Sequence, residues 1–196
     1  AYSAGIDNLL RISEKLIEIE IKYLSVYALS TENLKRKSVN MLFNSIFDKF
    51  YQFLNKLINE KSIKIKVIGE RDNLPIKLKK IINEAEQKTI NNKKLTLILA
   101  FNYGFKSELI SVFKKLYKKI QSVNVKEINN IKFDNLFYLN NIPDPDILIR
   151  TGGYQRLSNY LMYNLCYTEL FFTKTLWPDF KKKRTWKNFK RIQKHN

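Results

Sequence analysis

An α/β fold, with a central, mostly parallel sheet flanked by helices, is what this sequence predicts. Three observations carry that expectation. Short apolar runs alternate with longer amphipathic stretches along most of the chain, polar motifs follow the runs at their carboxyl ends, and 196 residues with 44% hydrophobic side chains suffice for one domain with one core. Alternation of this kind implies right-handed crossovers between parallel strands, with ligands gathering beyond the strands' carboxyl ends.

The elements follow in order. Residues 3 to 21 place Ile6, Leu9, Leu10, Ile12, Leu16, Ile17 and Ile19 at helical spacing among charges, and YLSVYAL (23 to 29) is the first strand. A long amphipathic helix is expected from Ser38 to Lys61, with Met41, Leu42, Phe43, Phe47, Phe50, Phe53 and Leu54 on its apolar face. Strand IKIKVIG (63 to 69), a helix over 76 to 90 opened by Pro75, strand LTLILAF (95 to 101) and a helix over 107 to 121 come next. Residues 122 to 145, with Asn129, Asn130, Asn140, Asn141, Pro143 and Pro145, form a surface connection before strand DILIR (146 to 150). LFF (170 to 172) and a final helix over 184 to 194 close the chain. No strand precedes the first helix, so the sheet is expected to lack an upstream strand and its loop.

The charge narrows the partners. With 36 Lys and Arg against 18 Asp and Glu, the formal net charge is +18, which suits nucleic acid, anionic membrane surfaces or polyanionic small molecules. A solvated coat set by a Lys-, Asn- and Ile-rich composition accounts for it equally well. No nucleic-acid recognition motif is present, so no nucleic-acid partner is expected. A single cysteine, Cys166 between Leu165 and Tyr167, excludes an intrachain disulfide framework, fits a reducing cytoplasmic setting and is expected to fill core space. No apolar run approaches the ~18 residues of a membrane span. His195, next to last, is expected to be a solvated tail residue, which leaves no Ser/His/Asp triad and no Cys/His zinc cluster.

Three polar stretches converge on one rim of the predicted sheet: STEN after the first strand, NYG after LTLILAF, and RTGG after DILIR. In DILIRTGGYQRLSN, Arg150, Arg156, Thr151, Ser158 and the N–H groups of Gly152 and Gly153 are all donors suited to anionic oxygen, so phosphate binding is favoured over a solvated surface loop. In ALSTENLKR, Ser30, Thr31, Glu32, Asn33 and Arg36 read by themselves fit a helix N-cap cluster ahead of Ser38 better than a ligand-binding loop. Glu169, in CYTELFF, is an acid among apolar neighbours and is expected to need either an arginine or a divalent cation. No Walker A loop or GxGxxG fingerprint occurs.

Taken together, YALSTENLKR, LAFNYG, DILIRTGGYQRLSNYL, YTELFFT and LWPDF resemble, in order and spacing, the cis-prenyltransferase family of undecaprenyl and dehydrodolichyl diphosphate synthases. The resemblance implies an enzyme that adds isopentenyl diphosphate repeatedly to an allylic diphosphate such as farnesyl diphosphate, for lipid carriers of the dolichol or undecaprenol type. It also implies Mg²⁺ as the cofactor assisting diphosphate departure. By the same resemblance Arg150, Gly152, Gly153, Arg156, Leu157 and Ser158 belong to the isopentenyl diphosphate site, Ser30, Thr31, Glu32, Leu34 and Arg36 to the substrate-side loop, Asn33 to proton removal, and Glu169 to the metal. An apolar tunnel for the product is expected between the long helix (Phe43, Phe47, Phe50, Phe53, Leu54) and the sheet residues Val26, Ala28, Ile98 and Ala100.

The sequence also departs from the family pattern. The family's first strand and its aspartate-containing phosphate loop have no counterpart, so the domain (1–196) is expected to be incomplete at its amino end and inactive as it stands. Leu34 stands where many members have an aromatic residue, Tyr154 where many have glutamate, and Gln155 where many have histidine. The absence of an RxG tail leans towards a homodimer over a heteromer. The alternative is a non-catalytic subunit of a heteromeric enzyme. Peripheral contact with a membrane is expected from the apolar product and the basic surface.

Overall fold

The computed structural model describes residues 2–34, 43–121 and 131–180. In chain order these form α1 (Tyr2–Glu18), β1 (Tyr23–Ser30), α2 (Thr31–Leu34), α3 (Phe43–Ile58), β2 (Ile63–Ile68), α4 (Ile76–Lys88), β3 (Leu95–Tyr103), α5 (Phe105–Gln121), β4 (Ile147–Arg150) and β5 (Glu169–Phe172), with 3-10 turns at Phe133–Leu136 and Trp177–Asp179. The expected start of the long helix with Met41 and Leu42, Arg36, the side chain of Phe43, Asn129 and Asn130, the final helix and His195 lie outside the described residues.

Helix α1 stops earlier than its apolar spacing suggests because Glu20 adopts φ 61°, and the amides of Glu20 and Ile21 donate back to the carbonyls of Ile17 (3.1 Å) and Leu16 (2.9 Å). These paired bonds terminate the helix before Ile19 can extend it. Strand β3 lies between β1 and β2, all parallel, and is buried almost throughout, which explains its unbroken apolar sequence. Alternate side chains go to opposite faces. Leu97, Leu99 and Phe101 join Phe47, Phe50, Phe53, Leu54 and Leu57 of α3 and Leu78, Ile81 and Ile82 of α4, with Phe50 stacked on Phe101 at 4.0 Å. Ile98, Ala100 and Tyr103 face the other way, onto Leu139 and Leu161.

That alternation corrects the expected facing of α3, although Val26, Ala28 and Ile98 do line one cavity with Phe50 and Phe53. Val26 and Ala28 pack with the α3 side, whereas Ile98 and Ala100 belong to the opposite core. A fully buried strand carries no polar face, so its sequence does not reveal the phase. Cys166 is likewise exposed rather than core, its thiol donating to the carbonyl of Tyr163 at 3.3 Å, because residues 158–168 run as surface turns.

The outer edge of β2 is covered by side chains. Thr89 Oγ1 accepts from the Ile65 amide (3.0 Å) and donates to the Ala85 carbonyl (2.6 Å), and Glu86 accepts from the Val67 amide (2.8 Å). Thr89 is fully buried. Thr89→Val is expected to destabilise the fold by about 1–3 kcal/mol, because it orphans a buried amide. Chemical denaturation checks this, and an unchanged midpoint would contradict it.

Strands β4 and β5 form a second parallel pair, with Ile147 opposite Glu169 and Arg150 opposite Phe172. Among the described residues, β4 does not join the main sheet, and the edges of β1 and β4 away from their partners make no ladder pair. Between those two strands lies a cavity of about 2110 Å³, well beyond the roughly 300–1,000 Å³ of an ordinary small-molecule pocket. At one side α1 is tied to the last 3-10 turn, where the Trp177 indole donates to the Gly5 carbonyl (2.9 Å) and the Asn8 amide to the Trp177 carbonyl (2.6 Å).

Candidate active site

The carboxyl ends of β1 and β3 are irregular, and this irregularity forms the rim. Tyr27 pairs with Ala100, Leu29 with Phe101 and Ser30 with Tyr103, which leaves Ala28 and Asn102 as compensating bulges. The chain then enters α2 at once. Ser30 Oγ accepts from the Asn33 amide at 3.0 Å, so the capping expected of STEN is real but serves this four-residue helix. Thr31 is buried behind the rim, while Glu32 and Asn33 are exposed on it.

Glu32 accepts from Asn159 Nδ2 at 2.6 Å and from Thr31 Oγ1 at 3.3 Å. Desolvation raises its pKa, but the hydrogen bonds from its own backbone amide, Asn159, Ser30 and Thr31 outweigh that and hold the carboxyl below its ordinary value. Tyr27, beneath it, is pushed up to about 12 by burial and by the charge of Glu32. It therefore stays protonated at neutral pH.

On the facing bank, Arg150 ends β4 and donates through Nη1 to Ser158 Oγ (2.6 Å) and to the Arg156 carbonyl. The Arg156 guanidinium lies 4.5 Å, and that of Arg150 5.7 Å, from the centroid of the Tyr154 ring. One ring thus serves two cations. Burial and then the charge of Arg156 lower the pKa of Arg150, a sign of like charges held together, and an anion relieves that repulsion. Among the described residues the Arg156 guanidinium makes no hydrogen bond or ion pair, so its donors face outward uncommitted.

The glycines do a different job from the one expected. The amide of Gly152 donates to the Thr175 carbonyl and that of Gly153 to the Thr173 carbonyl, both at 2.9 Å, so neither is directed at a phosphate. Their φ values of 88° and 82° carry the chain alongside the continuation of β5, a conformation suited to glycine. Their contribution is to shape the loop that presents the arginines.

The cavity wall brings together Ser30, Glu32 and Asn33 with Arg150, Thr151, Arg156, Leu157 and Ser158. Thr31, Leu34, Gly152, Gly153 and Glu169 are not on it, and Leu34 packs against the α3 core instead. Sequence reasoning missed Lys106 and Asn159, which also line the wall, although NYGFK follows β3 as STEN follows β1. Deeper in, the lining turns apolar, with Leu9 and Leu16 of α1, Val26 of β1, and Phe50 and Phe53 of α3. Cations and hydroxyls at the mouth with hydrocarbon behind suit an anionic head on an apolar tail.

Glu169 is exposed, so its carboxylate is solvated and needs no partner within this chain, contrary to expectation. Among the described residues no three His, Cys, Asp or Glu side chains converge on a point where they could hold a metal ion. No described helix is long and apolar enough to cross a membrane.

The model of the prenyltransferase family described as "Putative undecaprenyl diphosphate synthase" matches residues 1–196. An isoprenyl transferase of Thermotoga maritima is 37% identical over 170 residues, covering 85% of this chain and 72% of the relative. A ditrans,polycis-undecaprenyl-diphosphate synthase of Micrococcus luteus, farnesyl-diphosphate specific, is 39% identical over 180 residues, covering 90% and 72%. Among solved structures, lavandulyl diphosphate synthase from Lavandula x intermedia in complex with dimethylallyl diphosphate superposes with a TM-score of 0.84 at 29% identity, covering 97% of this chain and 84% of that one.

Proposed function

This chain belongs to the cis-prenyltransferase family of undecaprenyl diphosphate synthases and their relatives, and on that premise we propose that Arg150, Arg156 and Ser158 hold the diphosphate of isopentenyl diphosphate at the cavity mouth. The observation that carries the assignment is the pair of guanidiniums sharing the Tyr154 ring, one of them with uncommitted donors, at the entrance to a cavity lined with hydrocarbon.

The family's reaction breaks the allylic carbon–oxygen bond of one substrate, joins its carbon to the double bond of isopentenyl diphosphate, and releases diphosphate and a proton. Charge develops on the leaving oxygen and on the allylic carbon. A water-poor apolar wall protects the second, while the cations of the cavity mouth neutralise and orient the diphosphate that isopentenyl diphosphate keeps. Arg150 is preorganised by Ser158, Arg156 supplies a fork without a hydrogen-bonded partner among the described residues, and Lys106 adds a third cation on the same wall. Glu32 and Asn33 share the cavity wall with them from α2, which supports a role for Asn33 in proton removal. Phe50, Phe53 and Val26 give the growing chain its apolar bed.

Prenyl transfer in this family is generally metal-dependent. Glu169 lies off the cavity wall, and what the chain itself contributes to the reaction comes from its own side chains.

The expected homodimer has support in α5. Ile110, Phe113 and Tyr117, one helical face by spacing, are 58%, 58% and 65% exposed, an apolar stripe that suits a partner surface. A second copy covers that face. Phe113→Asp is expected to convert the dimer to monomer in sedimentation analysis, and a dimer that survives it would place the interface elsewhere.

The deciding experiment is incorporation of labelled isopentenyl diphosphate by the full-length protein with farnesyl diphosphate as primer, the extracted products being sized. Long polyprenyl products support the assignment. A folded protein that incorporates nothing would overturn it.

A further inference from the structure

The sequence RLSNY places an asparagine immediately after the serine that supports Arg150. In the structure that asparagine joins all three rim loops. Asn159 Nδ2 donates to Glu32 Oε1 at 2.6 Å, its Oδ1 accepts from the Lys106 amide at 2.9 Å, and its main-chain carbonyl accepts from the Phe105 amide at 2.9 Å. Loops that follow β1, β3 and β4 therefore meet on one residue.

Only one orientation of the amide fits. Flipping it would set its oxygen against the Glu32 carboxylate and its NH₂ against the Lys106 N–H. The backbone is committed too, with φ 62° at Asn159 and 52° at Ser158, a left-handed conformation that asparagine tolerates better than most residues. Space is equally tight, since a Cβ on Gly104 would lie 2.6 Å from Thr31 Oγ1 and 2.8 Å from Asn159 Nδ2. Bonds on three sides and a missing Cβ on the fourth hold a strained backbone in place, which is how a site is made rigid.

We propose that Asn159 is a positioning residue for prenyl transfer, fixing Glu32 and the α2 loop against the N-terminus of α5 while its neighbour Ser158 fixes Arg150. The proposal rests on the diphosphate assignment above and adds a residue whose side-chain amide is committed to Glu32 and the Lys106 amide. Through Asn159 the two banks of the cavity mouth keep a fixed separation. Glu32 also shares the wall with Lys106, Arg150, Arg156 and Tyr27, and Ser30 and Thr31 reach it from its own loop.

The discriminating variant is Asn159→Asp. It preserves volume, tolerance of the left-handed backbone and the acceptor for the Lys106 amide, but replaces the donor to Glu32 with a second carboxylate. In the full-length protein, KM for isopentenyl diphosphate is expected to rise roughly tenfold, as loss of one charge-assisted bond implies. The acid limb of the kcat/KM profile is expected to move to higher pH, because the added negative charge raises the pKa of Glu32. The melting temperature is expected to fall by several degrees, since the same bond ties the loops together.

Carbon-13 titration of the Glu32 carboxyl, in wild type and variant, reads the same contact without turnover. A Glu32 that titrates low in wild type and higher in the variant, together with the raised KM, supports the proposal. An ordinary Glu32 titration in wild type overturns it even if the variant fails to fold, and so does a variant whose KM equals that of wild type. Absence of any wild-type incorporation would instead sink the functional assignment, leaving the Glu32 titration to decide the contact by itself.

Discussion

Arg156→Ala is expected to lower kcat/KM for isopentenyl diphosphate by about two orders of magnitude, with most of the loss in KM. Arg150 already spends donors on Ser158 and on the Arg156 carbonyl, whereas the Arg156 fork has no hydrogen-bonded partner among the described residues. Its natural complement is a doubly charged phosphate oxygen pair. A charge-assisted bond of this kind contributes about 1.5–3 kcal/mol, and 1.4 kcal/mol is roughly tenfold. Arg156→Lys should recover only part of the loss, since an ammonium offers a point charge without the planar fork or its stacking on Tyr154. Steady-state kinetics with each substrate varied in turn checks this. An Arg156→Ala enzyme with wild-type KM would remove Arg156 from the diphosphate site.

The second large effect is on the fold. Gly69 follows β2 with φ 127°, and a Cβ there would sit 2.1 Å from the Phe101 carbonyl oxygen and 2.8 Å from that of Asn102. Both obstacles are backbone of the central strand, held further by the Glu70 amide bonded to the Asn102 carbonyl (3.0 Å) and by Asn102 Nδ2 bonded to the Glu70 carbonyl (2.9 Å). Nothing flexible can yield. Gly69→Ala is expected to cost roughly 4 kcal/mol or more, which at about 2–4 °C per kcal/mol is a fall in Tm on the order of 10 °C. Calorimetry of the purified variant checks it, and a Tm within a degree or two of wild type would show that β2 and β3 can separate at this point.

The order of elements was legible because apolar periodicity is a local property. YLSVYAL, IKIKVIG and LTLILAF each became strands, and the helices over 76 to 90 and 107 to 121 were found with ends displaced by only two residues. Partnership was not legible. Nothing in DILIR says that it pairs with ELFF rather than with the main sheet, and nothing in LTLILAF says which alternate residues meet α3. The residue types of the site were readable, since arginines and hydroxyls beyond a strand end are donors wherever the loop goes. The glycine amides were misjudged because their carbonyl partners, Thr173 and Thr175, lie some twenty residues downstream. Asn159 escaped notice because an asparagine in a turn-rich stretch looks ordinary until its partners, 127 and 53 residues away, are known.

The two banks of the large cavity differ in kind from its floor. Strands β1 and β4 each turn toward it an edge without a ladder partner among the described residues, a row of amide and carbonyl groups, whereas Phe50 and Phe53 offer only carbon. A polyprenyl tail laid along those edges would dehydrate the backbone groups and return nothing, at about 1–3 kcal/mol for each. The space therefore divides by wettability. Hydrocarbon belongs on the phenylalanine side, and only water or another peptide backbone is thermodynamically welcome between the strands. Exchange rates of the β1 amides should consequently be insensitive to a purely hydrocarbon ligand, and marked slowing by such a ligand would mean that the tail takes the other course.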